Sequence, residues 1–177
     1  IIWFVSDCEL HYIAPGQSTL STNNFCSSYL PESPIDIAVI SDTVYIATSE
    51  SGVRVIEYST STDSSGISVT IGSNTQWSTG NSLTSNTISQ LQVVDSLLLI
   101  STIGGGVNRY DISSDSWLAT WSTNNWLSSN VVRGMALTDG WLHILAGSTV
   151  HAYDTEALLF RSQRQITDMG LVGTANS

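Results

Sequence analysis

The segment WSTGNSLTSN, Trp77 to Asn86, returns as WSTNNWLSSN, Trp121 to Asn130, about 44 residues later. The likeness continues beyond these strings. Ile88 to Val94, a turn at Asp95-Ser96, Leu97 to Thr102, glycines 104 to 106 and Val107 to Asp111 are echoed in the second copy. There the runs are Val131 to Leu137, a turn at Asp139-Gly140, Trp141 to Ala146, a turn at Gly147-Ser148 and Val150 to Asp154. Short apolar runs separated by Asp, Gly and Ser are what antiparallel strands joined by hairpins look like. A chain repeating at this period is an array of small units, none able to bury its own faces alone.

A third copy lies upstream, in Ile35 to Ile40, Val44 to Thr48 and Val53 to Tyr58, and there the polar stretch Ser59 to Gly66 reads as an inserted surface loop. A fourth is divided between the ends. Ile2 to Val5 reads as the middle of a buried strand and Leu10 to Tyr12 as the next, while Ser21 to Asn24 echoes Ser122 to Asn125. Its missing first strand is expected from Ile166 to Val172. No window keeps apolar residues at three-and-four spacing, and β-branched residues with Ser and Thr fill the runs, so helix is not expected. The expected fold is all-β, a β-propeller of four-stranded antiparallel blades with about four blades, either a small closed ring or a fragment of a larger one. The blades are placed at 1–28 with 166–177, 29–76, 77–120 and 121–165 of one domain. Opening without methionine on Ile1-Ile2-Trp3-Phe4-Val5, the chain is expected to be part of a longer one or to have lost a leader.

Leu83 to Asp111, LTSNTISQLQVVDSLLLISTIGGGVNRYD, resembles the two-component regulator propeller repeat. That repeat reads roughly Leu-x-Ser-Asn-x-Val, an Asp turn, a strand ending in Gly-Thr, then Gly-Gly-Leu-x-Arg-Tyr-Asp. Leu127 to Asp154 is similar but weaker, and Ile35 to Tyr58 keeps the spacing and the apolar positions. Leu99 and His143 stand where the repeat has Trp, and Ser101-Thr102 and Leu145-Ala146 replace its Gly-Thr. The resemblance implies a large extracellular or periplasmic propeller, often part of a sensor.

Charge narrows the partners. Fifteen acidic residues stand against five basic ones, all arginine, for a net charge of −10. Nucleic-acid backbone and anionic membrane surfaces call for the opposite sign, and no apolar run approaches the ~20 residues of a membrane span. Abundant Ser and Thr without lysine agree with a secreted protein. Cys8 and Cys26 are placed on one face of the ring, where a disulfide would tie the first blade to the second.

Several residues invite chemistry. Gly104 to Gly106 is a hairpin turn and not a phosphate loop, since a strand follows instead of a helix. His143 and His151 flank Gly147 at equal distances and are expected to face each other across a hairpin. Two ligands do not hold a metal, and His143, at the repeat position of Trp3, Tyr45 and Leu99, is expected to be buried between blades. Asp42, Asp95 and Asp139 recur at one place, and Asp111 and Asp154 at another. Calcium is conceivable there, but aspartate starting a turn is the simpler account, so no metal or other cofactor is expected. Asn86 and Asn130 cap turns, and Trp77 and Trp121 pack blades. Trp117, Trp126 and Trp141 have no counterparts in neighbouring copies and are candidate sugar platforms. Arg133, aligned with Ser89 and Asp36 on an innermost strand, is a candidate for holding an anion.

No nucleophile with a base beside it is visible, so the expected role is non-catalytic: a binding or sensing module presenting one face to a glycan, peptide or partner domain. A structural or adhesive spacer of a large surface protein is the alternative. A glycan hydrolase or lyase with carboxylates in a central channel is the third reading.

Overall fold

A computed structural model describes residues 1–6, 9–16, 21–24, 33–64 and 66–166, and the candidate pair Cys8 and Cys26 lies outside them. Residues 167 to 172, expected to complete the first blade, lie outside them too. The chain divides into two compact units, Ile1–Leu91 and Gln92–Ser177.

In the first unit β1 (Ile2–Ser6), β2 (Glu9–Ile13) and β3 (Ser21–Asn24) form a three-stranded antiparallel sheet. Next come β4 (Pro34–Ile40), β5 (Thr43–Thr48), β6 (Val53–Asp63) and β7 (Gly66–Trp77), four antiparallel strands in sequence order. Leu10, Val44, Ile46 and Ile56 are fully buried together, with Trp3, Val5, Ile37, Tyr58 and Ile71 packed against them. β1 is half-buried and not buried: Ile2 is exposed while Trp3 turns inward onto Tyr12 and Tyr58, with ring centroids 5.1 and 4.8 Å away. That alternation is the period of a strand with one face on the core.

Ser59 to Gly66 is not a loop. Here β6 and β7 continue as one long hairpin, paired from Tyr58↔Ile71 to Asp63↔Gly66. Thr, Ile and Val are good strand residues, and on β7 Ile67, Val69 and Ile71 alternate with exposed Ser68 and Thr70. A polar composition marked the segment as exposed without saying that it was unpaired.

β8 (Ile88–Val94), β9 (Leu97–Thr102), β10 (Gly106–Asp111) and β11 (Ser116–Trp121) form the next four-stranded sheet, and β12 (Val132–Thr138), β13 (Trp141–Ala146), β14 (Thr149–Asp154) and β15 (Leu159–Gln165) the last. β9 opens on an unbroken apolar run, Leu97 to Ile100, because both faces are covered: Leu98, Leu99 and Ile100 have no exposure. In the second unit Val94, Leu99, Val107, Trp121 and Leu127 share one core with Val132, Met135, Leu142, Ile144 and Tyr153. Four-stranded antiparallel sheets repeating along the chain, with neighbouring sheets sharing a core within each unit, are propeller blades. Among the described residues no helix is long and apolar enough to cross a membrane.

Register decides which residues correspond between blades. Ile40↔Thr43 and Thr138↔Trp141 close the first hairpins, and Ser41, Asp95 and Asp139 hold φ of 51°, 52° and 47°. The residue matching Asp95 and Asp139 is therefore Ser41 and not Asp42, so the expected trio of carboxylates is not one. What recurs is a left-handed turn position, which Asp and Ser tolerate through side-chain bonds to the backbone.

Candidate functional site

The strings that revealed the repeat build one rigid loop twice. In the first, Asn81 Oδ1 accepts the Ser78 N–H at 2.8 Å, Asn86 Oδ1 the Thr79 N–H at 2.7 Å, and Asn81 Nδ2 donates to the Gln76 carbonyl at 2.8 Å. In the second, Asn125 and Asn130 do the same for Ser122, Thr123 and Thr120 at 2.7, 2.8 and 2.8 Å. Leu83 and Leu127 plug the loops into the core. Gly52 and Gly106, at φ +87° and +83°, lie so close to the carbonyls of Trp77 and Trp121 that a Cβ would meet them. Both Asn side chains thus serve as turn caps, as expected from the sequence.

Within this frame three positions differ, Gly80/Asn124, Ser82/Trp126 and Thr84/Ser128, and the second changes the surface most. Ser82 of the first loop is replaced by Trp126, which is 56% exposed and stacks on Phe160 at 5.5 Å with the planes 19° apart. A large aromatic left this exposed while rigidly held is available to a partner. On one side of the Trp126–Phe160 pair is a cleft of about 230 Å³ reached by His151, Arg161 and Gln163. On the other is a smaller hollow of about 160 Å³ reached by Arg109, Trp121, Tyr153 and Leu158.

Each wall has a local cause. Phe160 pairs with Tyr153 across β14 and β15, and their rings meet at 5.1 Å. Arg161 is the extra residue where the register slips between Ala152↔Ser162 and Tyr153↔Phe160, and a bulge re-aims a side chain in this way. Its Nε lies 3.3 Å from Asp154 Oδ2. Arg109 donates through Nε to the Ala119 carbonyl at 2.7 Å and lays its guanidinium 4.7 Å from the centre of the Trp121 ring. Burial holds its pKa below the usual arginine range, with Tyr153 opposing, and burial likewise pushes the Tyr153 hydroxyl up. Leu158 is 69% exposed with φ +55°, in the turn position occupied one blade earlier by Asp115 at φ 50°. Aspartate tolerates that conformation; leucine there costs about 1 kcal/mol.

His151 supports the platform from behind. It is buried, and its Nε2 lies 3.2 Å from the Ser128 N–H and 3.0 Å from Ser128 Oγ. Because an amide must donate, Nε2 is unprotonated, and burial lowers the His151 pKa in the same sense. Ser128 Oγ also reaches the Ala146 carbonyl at 3.1 Å. The pair ties the Trp126 loop to β13 and β14; no carboxylate orients the imidazole among the described residues, so it lacks the third member of a nucleophilic triad.

The other expected residues fall elsewhere. His143 pairs with Ala152 and His151 with Ile144, so the two histidines point to opposite faces and cannot share a metal. The two-residue turn is centred between Gly147 and Ser148, which shifts the facing pair by one. His143 is exposed, not buried between blades. No cluster of three metal-ligating side chains occurs among the described residues. Arg133 is exposed on β12 at a bulge whose counterpart on β4 is Ile35, not Asp36, and it lines neither hollow. Asp36 instead accepts the Leu91 N–H at 2.8 Å. Trp117 packs on Tyr110 at 5.2 Å, matching Phe160 on Tyr153, so it has a counterpart after all. Trp141 is 38% exposed at the start of β13, away from the hollows. Asp111 and Asp154 start turns as expected: the Ser113 hydroxyl, and the Ala157 N–H, hold their carboxyls below the usual range.

No family model matches the sequence, and no curated protein sequence matches it. Among solved structures, the extracellular domain of BT4673 from B. thetaiotaomicron, assigned to a one-component system, is similar over 92% of this chain and 22% of that one, with TM-score 0.65 and 11% identity. The extracellular domain of BT3049 from the same organism, assigned to a hybrid two-component system, covers 90% and 22%, with TM-score 0.58 and 15% identity. A computationally designed protein, Ika8, covers 92% and 48%, with TM-score 0.50 and 11% identity. The chain thus spans about half or less of each of these three structures, and the likeness is one of fold.

Proposed function

We propose that this chain is part of an extracellular, sensor-type β-propeller that binds a glycan, without chemistry, at the Trp126–Phe160 platform. One observation carries the reading: Trp126, standing where the sister loop has Ser82, is more than half exposed, and it separates two hollows walled by arginine and aromatic side chains. A rigid indole beside guanidinium and hydroxyl donors suits the apolar face and polar rim of a sugar ring. Fold likeness to two bacterial extracellular regulatory domains supports the setting by analogy.

The test is a glycan array probed with the protein and with Trp126→Ala. Retention of a defined set of glycans by the protein and its loss in the variant is the expected result. Binding to none, or binding unchanged by the substitution, overturns the reading and leaves the spacer.

A further inference from the structure

The smaller hollow holds an unbalanced charge. Arg109 is half-buried, its Nε is committed to the Ala119 carbonyl, and among the described residues no carboxylate pairs with it. Acidic residues are not scarce in this chain, which carries fifteen of them against five arginines. Arg161, across the Trp126–Phe160 pair, does have its partner in Asp154 at 3.3 Å. A guanidinium partly removed from water without a counter-ion is unfavourable, and the remaining donors of its planar fork match a carboxylate. Tyr153 stands close enough to Arg109 to interact with it electrostatically and shares the hollow. Kept in its protonated form, its hydroxyl is a second donor, with no hydrogen bond to any described residue. At about 160 Å³ the hollow has the volume of roughly five waters at ~30 Å³ each, enough for one carboxylate and the ring atoms that bear it.

We propose that Arg109 and Tyr153 form a carboxylate subsite, and that the glycan seated on Trp126 is an acidic one, carrying a uronate in this hollow. The inference rests on the binding role of the cleft proposed above. A peptide could also supply a carboxylate; the exposed indole beside the hollow favours the glycan, because a sugar ring offers a flat apolar face and a carboxylate on one rigid unit.

The experiment is calorimetric titration of the 177-residue chain with oligogalacturonate, oligomannuronate and hyaluronan fragments, each beside its methyl ester, with a set of neutral oligosaccharides and a peptide with a free C-terminus. At least one free acid should bind about tenfold or more tightly than its ester, as expected for loss of a charged hydrogen bond. Arg109→Gln and Tyr153→Phe should each shrink that gap by weakening the free acid more than the ester. If Arg109→Gln fails to fold, Tyr153→Phe and the acid–ester comparison still decide. Equal binding of acid and ester, or an acid–ester gap unmoved by both substitutions, overturns the subsite. Neutral glycans that bind through Trp126 and ignore Arg109 overturn the subsite and leave the cleft's role standing. Absence of any Trp126-dependent binding overturns both, and tighter binding of the peptide overturns the glycan.

Discussion

Protonation of His151 should cost this protein stability in a window that few other groups reach. The folded chain holds the imidazole neutral, because it is 2% exposed and its Nε2 accepts the Ser128 N–H. The unfolded chain takes up a proton near the ordinary value of 6.5. Folding therefore excludes a proton below that pH, and stability falls as pH is lowered through 6.5 towards the depressed folded value. Because the folded state can refuse at most this one proton, going from pH 7.5 to 5.5 costs up to about 1.4 kcal/mol, or at most roughly 3–5 °C in Tm for a chain of this size. The control is His151→Asn. Asn108 occupies the matching place on β10, opposite Ile100 as His151 is opposite Ile144, so the substitution has a precedent within the fold. Differential scanning calorimetry at the two pH values should show the loss in the parent and a smaller one in the variant. Asp111 and Asp154, whose carboxyls sit below 3.8, titrate outside this range. Equal pH losses in parent and variant would refute the buried, neutral histidine.

Other substitutions separate frame from surface. Gly106→Ala and Gly104→Ala both place a side chain at positive φ, but only the first meets the Trp121 carbonyl; chemical denaturation should show Gly106→Ala worse by at least about 1 kcal/mol. Leu127→Ala, from a side chain 6% exposed in the second core, should cost about 2–4 kcal/mol, whereas Trp126→Ala beside it should cost under about 1 kcal/mol. Replacing residues 59–70 by a short turn removes hairpin pairs beyond Tyr58↔Ile71 and should lower Tm by no more than about 4 °C, since those two residues stay on the first core. A larger fall would mean that the arm is part of that core.

Strands and turns were legible because a two-residue period and Asp-Gly punctuation are local. Register was not. The pairing of His143 with Ala152 instead of His151 depends on whether a turn is centred on one residue or between two, which composition does not reveal. The same one-residue ambiguity matched Asp42 to Asp95 and Asp36 to Arg133. Trp126 was legible as an aromatic without a counterpart, and it does head the cleft. Phe160, Tyr153 and Arg109 were not, because Phe160 and Tyr153 hold places that Trp117 and Tyr110 hold one blade earlier, and Arg109 looks like part of the repeat. Only the register slip at Arg161 and the pairing of β14 with β15 bring them to Trp126. One local signal existed: Leu158, a bulky residue in a turn where the sister blade has Asp115.

The duplicated loop makes a general point about where binding can be built on such a frame. The asparagine bonds and the Ser78 and Ser122 turn bonds that shape the Trp77–Asn86 loop are repeated in Trp121–Asn130, so these shared bonds do not account for a function confined to one of them. The buried polar residue at the centre of each third strand is likewise shared as a place but not as a chemistry: Arg54, Asn108 and His151 lie opposite Ile46, Ile100 and Ile144. A fixed scaffold with freely chosen side chains lets one blade acquire a platform without disturbing its neighbours, because packing is set by Leu83 and Leu127 and not by Ser82 or Trp126. The substitution Ser82→Trp is the direct test of that separation. It should fold with little change in Tm yet gain no preference for an acidic glycan, because Val55, opposite Tyr45, stands where Arg109, opposite Leu99, stands one blade later.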